Sequence, residues 1–73
     1  MRIFLEPIGI VRGRMCPQVV DIDGDCAVGE LIESLNFPAK LNVIAVTDGR
    51  RMASNEKLQD GATVKLVSLA LGG

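Results

Sequence analysis

Asp60-Gly61-Ala62-Thr63-Val64-Lys65-Leu66-Val67-Ser68-Leu69-Ala70-Leu71-Gly72-Gly73 is the stretch on which the fold turns. Asp-Gly is a turn signal, and Val64, Leu66 and Val67 then give strand propensity. Nothing after Ala70 can cap or continue an element, so the strand runs out onto two glycines. A strand entered from a turn and ending free can lie in the middle of a sheet, parallel to the first strand. The two glycines are a separate signal. Glycine costs the most backbone entropy to order, so such a pair is expected to be mobile unless a partner holds it. Lacking a side chain, it can also carry a carboxylate into a channel that other residues would block.

Working back along the chain, Asn42-Val43-Ile44-Ala45-Val46-Thr47 is the strongest strand. Asp48-Gly49 supplies a two-residue hairpin turn, and Arg50-Arg51-Met52 starts a short return strand. Ser54 to Gln59 is polar around Leu58 and reads as a loop or a single helical turn. Further back, Val28, Leu31, Ile32 and Leu35 recur at helical spacing, which predicts an amphipathic helix over about Ala27 to Asn36. Asn36 can take the left-handed conformation that ends a helix, and Pro38 forbids continuation. Asp25 is the obvious side-chain acceptor for the helix start, while Ala27 is a poor N-cap.

The first 22 residues read as a β-hairpin. Its first strand covers Arg2 to Val11, with a bulge or an edge position near Pro7. Arg12-Gly13-Arg14 is the turn and Gln18 to Ile22 the return strand, with Val20 and Ile22 on one face and Val19 and Asp21 on the other. Asp21-Ile22-Asp23-Gly24-Asp25 is not a calcium loop. A loop opening at Asp21 needs glycine where Cys26 stands and glutamate where Ile32 stands.

Composition removes whole classes of function. Hydrophobic residues make up 48% of 73, but Phe4 and Phe37 are the only aromatics, so the core must be aliphatic. The net charge is −1, with no basic run longer than Arg50-Arg51. A nucleic-acid interface needs a basic stripe or stacking aromatics, and neither is present. No apolar run approaches the roughly 20 residues that span a bilayer, and Glu6 and Pro7 break up the start, so a cytoplasmic protein is expected. There is no histidine, and Cys16 and Cys26 lie ten apart without C-x-x-C spacing. That excludes four-ligand zinc sites and the Cys-His and Ser-His catalytic arrangements. No metal or bound cofactor is expected.

The element order is strand, strand, helix, strand, short strand, strand. One ten-residue helix cannot cover both faces of a sheet, so it packs across one face of a mixed sheet. The fold class is therefore α+β, a β-grasp or ubiquitin-like roll. Its last strand is central, adjacent to the first and third, with one domain over residues 1–70 and a tail over 71–73.

Several pieces in this order resemble the MoaD/ThiS family of ubiquitin-like sulfur carriers. They are Val28-Gly29-Glu30-Leu31-Ile32 after an Asp-Gly turn, Val43 to Gly49, Leu58-x-Asp60-Gly61-x-x-Val64, and Gly72-Gly73. The family includes the small subunit of molybdopterin synthase and the sulfur carrier of thiamine biosynthesis. It usually has Thr or Ser where Ala27 stands. The resemblance implies that the chemistry belongs to Gly73 and is carried out by partners. An ATP-dependent adenylating enzyme converts the carboxylate to an acyl-adenylate. A sulfur donor then displaces AMP to leave a thiocarboxylate, which is delivered to an acceptor synthase. ATP is used by the activating partner, and the chain is a carrier, not an enzyme. Gly72 is then required for threading, and Leu69 and Leu71 are candidate contacts with a partner groove. Three other readings stay open: a ubiquitin-like modifier joined to target lysines, a β-grasp adaptor without tail chemistry, and a regulatory or nucleotide-binding β-grasp domain.

Overall fold

The computed structural model describes residues 1–69. The strands are β1 (Arg2–Pro7), β2 (Gln18–Asp21), β3 (Val43–Thr47), β4 (Arg50–Arg51) and β5 (Thr63–Ser68), with one helix, α1 (Val28–Ser34). They form one five-stranded sheet in the order β2-β1-β5-β3-β4. β5 runs parallel to β1, with Phe4 opposite Thr63 and Pro7 opposite Leu66, and antiparallel to β3, with Ala45 opposite Leu66. The last strand is central, between the first and third, as its sequence predicts.

Alternation along the strands decides what faces the helix. Ile3 and Leu5 of β1, Val64 and Leu66 of β5 and Ala45 of β3 turn inward and are buried. They meet Val28 and Leu31 of α1, and Val11, Met52 and Leu58 complete an aliphatic core. Ile32 and Leu35 pack at its margin. Phe4 and Val19 point to the other face and stay exposed, so neither phenylalanine is among the fully buried residues.

The first hairpin departs from expectation. β1 stops at Pro7, and Gly9–Gly13 forms a 3₁₀ helix that tucks Val11 into the core. The strand therefore does not reach Val11, and Arg12-Gly13-Arg14 is the end of that helix rather than a tight turn. The end of β2 explains the change, and Pro7 is compatible with it. The N–H groups of Phe4 and Ile8 donate toward β5, to the carbonyls of Ala62 and Leu66. The intervening odd-numbered nitrogens, including that of Pro7, thus face β2, which has already ended its pairing at Leu5 with Gln18. The proline's missing donor falls where no strand asks for one. The later turns follow the sequence. Asp48 and Gly49 both have positive φ, 50° and 78°, as a type I′ turn requires, and Asn36 reaches φ 56° just past the helix.

The start of α1 shows what the sequence hides. Its N-cap is Ala27, not Asp25, and no side chain caps the first turn from that position. The loop after β4 supplies the acceptors instead. Val28 N–H donates to the Glu56 carbonyl at 2.9 Å and Gly29 N–H to the Ser54 carbonyl at 2.8 Å. Glu30 reaches back to accept from Ala27 N–H at 3.2 Å. Glycine at 29 eases this approach: a Cβ there would sit 3.1 Å from the Ser54 carbonyl oxygen and 3.2 Å from its Cβ, so the loop would have to give by a few tenths of an ångström. Gly29→Val should therefore lower stability by about 1–3 kcal/mol through overpacking and loss of the cap. Urea midpoints compare the two proteins. An unchanged midpoint would mean that the loop does not hold the helix end.

The same loop is fixed from outside by Arg50, whose guanidinium binds both carboxylate oxygens of Glu56, one at 3.0 Å. This hydrogen-bonded pairing holds the Glu56 carboxyl below the usual carboxylate range and raises the Arg50 guanidinium further. A carboxyl whose folded pKa is depressed stabilises the fold above its unfolded pKa, and the contribution disappears as pH falls through the folded value. Wild type should thus lose stability on acidification more steeply than Glu56→Gln, measured as thermal midpoint from neutral pH into the acid range. Parallel curves would show that the pair carries no linkage.

Candidate functional site

The site is built where β5 leaves the sheet. Ala39–Leu41 forms a short 3₁₀ helix closed by Asn42 in the left-handed conformation, φ 48°. This turn aims two carbonyls at the end of β5. Leu69 N–H donates to the Asn42 carbonyl at 3.1 Å, and Ser68 Oγ donates to the Leu41 carbonyl at 2.5 Å. β5 is therefore paired on both sides and stapled at its exit.

Leu69 divides at that point. Its N–H is tied to Asn42 just past the end of β5, while its side chain is 44% exposed. A single exposed apolar side chain is ordinary on a protein surface, so Leu69 is a candidate contact only through its place beside the tail. The other residues assigned to the tail, Leu71, Gly72 and Gly73, lie outside the described residues. The structure thus places the anchor of the tail and one of its four candidate residues. The anchor itself, made by Leu41, Asn42 and Ser68, is absent from the sequence reading. The available signal was Asn42, since asparagine is among the residues that tolerate positive φ before a strand.

The side chains elsewhere offer little chemistry. Among the described residues, no three His, Cys, Asp or Glu side chains cluster in a way that could hold a metal. A shallow recess between the β3–β4 hairpin and the following loop is lined by Thr47, Arg50, Glu56, Lys57 and Thr63, away from Leu69. Its arginine is already taken by Glu56. Both cysteines are free thiols, Cys16 exposed and Cys26 half-buried with its Sγ 3.4 Å from the Ala27 carbonyl. If sulfur rides on a carboxylate, neither thiol is needed. A Cys16→Ser, Cys26→Ser double mutant should fold and be loaded with sulfur as wild type is. A folded double mutant that cannot be loaded would assign the sulfur to a thiol.

The architecture can now be set against solved structures. The chain superposes over its full length on the crystal structure of SAMP1 from Haloferax volcanii, with a TM-score of 0.73, 19% identity and 100% of both chains covered. The fold is the ubiquitin-like β-grasp. No protein-family model matches the sequence, and neither does any curated protein. At 19% identity the match speaks for architecture alone, and the tail chemistry has to be argued from this chain's own residues. No helix among the described residues is long and apolar enough to cross a membrane.

Proposed function

We propose that the protein is a sulfur carrier whose Gly73 carboxylate is adenylated by an ATP-dependent activating enzyme and converted to a thiocarboxylate. The observation that carries this reading is the stapled exit of β5. The central strand is held by β1 and β3, Leu69 is tied to Asn42, and Gly72-Gly73 follow within four residues. A reacting terminus has to be offered at a defined place on a rigid body, because positioning supplies much of the rate when two proteins bring reactants together. Glycines keep the last two positions narrow enough for a channel beside the nucleotide.

The chemistry follows from the weakness of a carboxylate as an acylating group. Attack of a carboxylate oxygen on the α-phosphorus of ATP expels pyrophosphate and leaves an acyl-adenylate. Sulfide adding to the carbonyl carbon expels AMP and leaves the thiocarboxylate directly, whereas a persulfide leaves an acyl disulfide whose S–S bond to the donor is then cleaved by two electrons, keeping the C–S bond on the carrier. The partner enzymes supply the nucleotide, the sulfur and the electrons. The carrier supplies a carboxylate and a docking body. Delivery to an acceptor synthase of the molybdopterin or thiamine type completes the proposal.

The modifier reading shares the first step and differs in the second, where a lysine amine attacks the activated carbonyl. Intact-mass spectrometry after incubation with ATP, the activating enzyme and a sulfur donor separates the two. A carrier gains the mass of one oxygen exchanged for sulfur, located in the C-terminal peptide. Covalent joining to lysines of other proteins would establish the modifier, and an unchanged mass would leave an adaptor.

A further inference from the structure

The aspartates of this nearly neutral chain are gathered at one end of the sheet, where Arg2, Arg50, Arg51 and Lys57 offset part of their charge. All five aspartates lie at or beside the turns where β5 begins. Asp21 ends β2 with Asp23 and Asp25 after it, Asp48 follows β3, and Asp60 precedes β5, with its Oδ1 accepting from Arg2 N–H at 2.7 Å. The opposite end, where β5 exits, is made by Gly9–Gly13, the end of α1, Ala39–Leu41 and the start of β3. Arg12, Arg14 and Lys40 stand there, all exposed. No acidic residue occurs from Pro7 to Val20 or from Ser34 to Thr47, and the carboxylates flanking these segments in sequence are Glu6 and Glu33. The two ion pairs among the described residues, Arg2 with Asp21 and Arg50 with Glu56, involve none of these three cations. Arg14 shares a cleft with Leu35, Asn36 and Phe37, which puts its charge beside the carbonyl end of α1.

Two of the four exposed large hydrophobic residues among the described residues belong to this end, Leu69 at 44% and Ile10 at 39%. Ile10 is in the 3₁₀ helix that packs against β5. The other two, Phe4 and Val19, sit on the sheet face near the start of β5. Reach decides between the two groups. Gly73 lies four residues beyond Leu69. At ~3.3 Å per residue this stretch extends about 13 Å. β5 itself, with six residues, spans about 20 Å. A body held only near Phe4 and Val19 would therefore spend the tail's length before it reached a buried site.

We infer that the basic end of the molecule, formed by Arg12, Arg14 and Lys40 around Ile10 and Leu69, docks on the activating enzyme, and that the mouth of that enzyme's channel is rimmed with acidic side chains. The inference rests on Gly73 being the residue that reacts. Opposite charges at such a rim steer encounter and fix orientation, while Ile10 and Leu69 supply the apolar contact that lengthens the stay. The aspartate end points away from the same rim, which gives the carrier a dipole that turns it tail-first.

The test measures carrier-dependent ATP–pyrophosphate exchange with the purified ubiquitin-activating-type enzyme of the same organism. Two charge-reversed proteins are compared with wild type: Arg12→Glu, Arg14→Glu, Lys40→Glu at the exit end, and Asp23→Lys, Asp25→Lys at the far end. Folding is checked by circular dichroism and urea midpoint. The exit-end protein should show a KM for carrier raised about tenfold or more with kcat unchanged, and the far-end protein a change of less than about twofold. Wild-type KM should also rise with salt, a readout that needs no variant. If wild type drives exchange while the exit-end reversal and added salt leave KM alone, the docking surface lies elsewhere and the carrier reading stands. If wild type drives no exchange, the carrier reading falls and this inference goes with it.

Discussion

Deleting Gly73 should leave the fold intact and abolish loading. A terminal glycine adds no side chain to the core, whose residues all lie before Ser68, so the urea midpoint should match wild type. The acyl-adenylate, by contrast, needs a carboxylate at one place beside the nucleotide. Moving it back by one residue shifts it about 3.3 Å, and small displacements in a near-attack geometry cost on the order of 100-fold in rate. Gly72→Val should do nearly the same by another route, because a β-branched side chain adds bulk and restricts both φ and ψ. The measurement is the oxygen-to-sulfur mass change after incubation with ATP, the activating enzyme and a sulfur donor. A truncated protein that is loaded as well as wild type would reduce the two glycines to a frayed end.

The second large effect is on stability. Leu31→Ala should cost about 2–5 kcal/mol. Leu31 is 4% exposed and packs from α1 onto the sheet within the aliphatic core, beside Val28 at 1%. Removing its branched end leaves a cavity that the strands cannot close, since β1, β5 and β3 are locked by their ladders. Domains of this size have only about 5–15 kcal/mol in total, so the variant approaches unfolding at ordinary temperature. Urea denaturation followed by circular dichroism reads the change, and an unshifted midpoint would take α1 out of the core.

The central place of β5 was legible because a strand entered from Asp60-Gly61 and ending free can lie between two others, whereas the inward side of Val64 and Leu66 came from the fold. Type I′ geometry at Asp48-Gly49 and the left-handed stop at Asn36 were legible for the same local reason. What escaped were features whose cause lies far along the chain. Apolar residues from Ile8 to Val11 look like continued strand, and only the end of β2 at Gln18 shows why the chain turns under the sheet instead. Ala27 looks like a bad cap because its partners, the carbonyls of Ser54 and Glu56, belong to a polar loop with no sequence mark of that duty. The candidate site divides in the same way. Gly72, Gly73 and Leu69 could be named from residue type, whereas the staple at Leu41 and Asn42 required the fold.

The place of β5 also sets the order in which the molecule can assemble. β1 and β3 do not pair with each other, so without β5 the sheet is two separate hairpins, β1–β2 and β3–β4. Isolated two-stranded hairpins are marginal in water, and neither can persist until the other is joined to it. The joining contacts pair Phe4 with Thr63 and Pro7 with Leu66, across nearly the whole described chain. Closing so long a loop has to precede the reward for it, which places folding among the slower topologies for this size. A nascent or clipped chain lacking β5 would be a pair of fluctuating hairpins. If Gly73 is the residue that reacts, as proposed, only a chain that has folded would be adenylated.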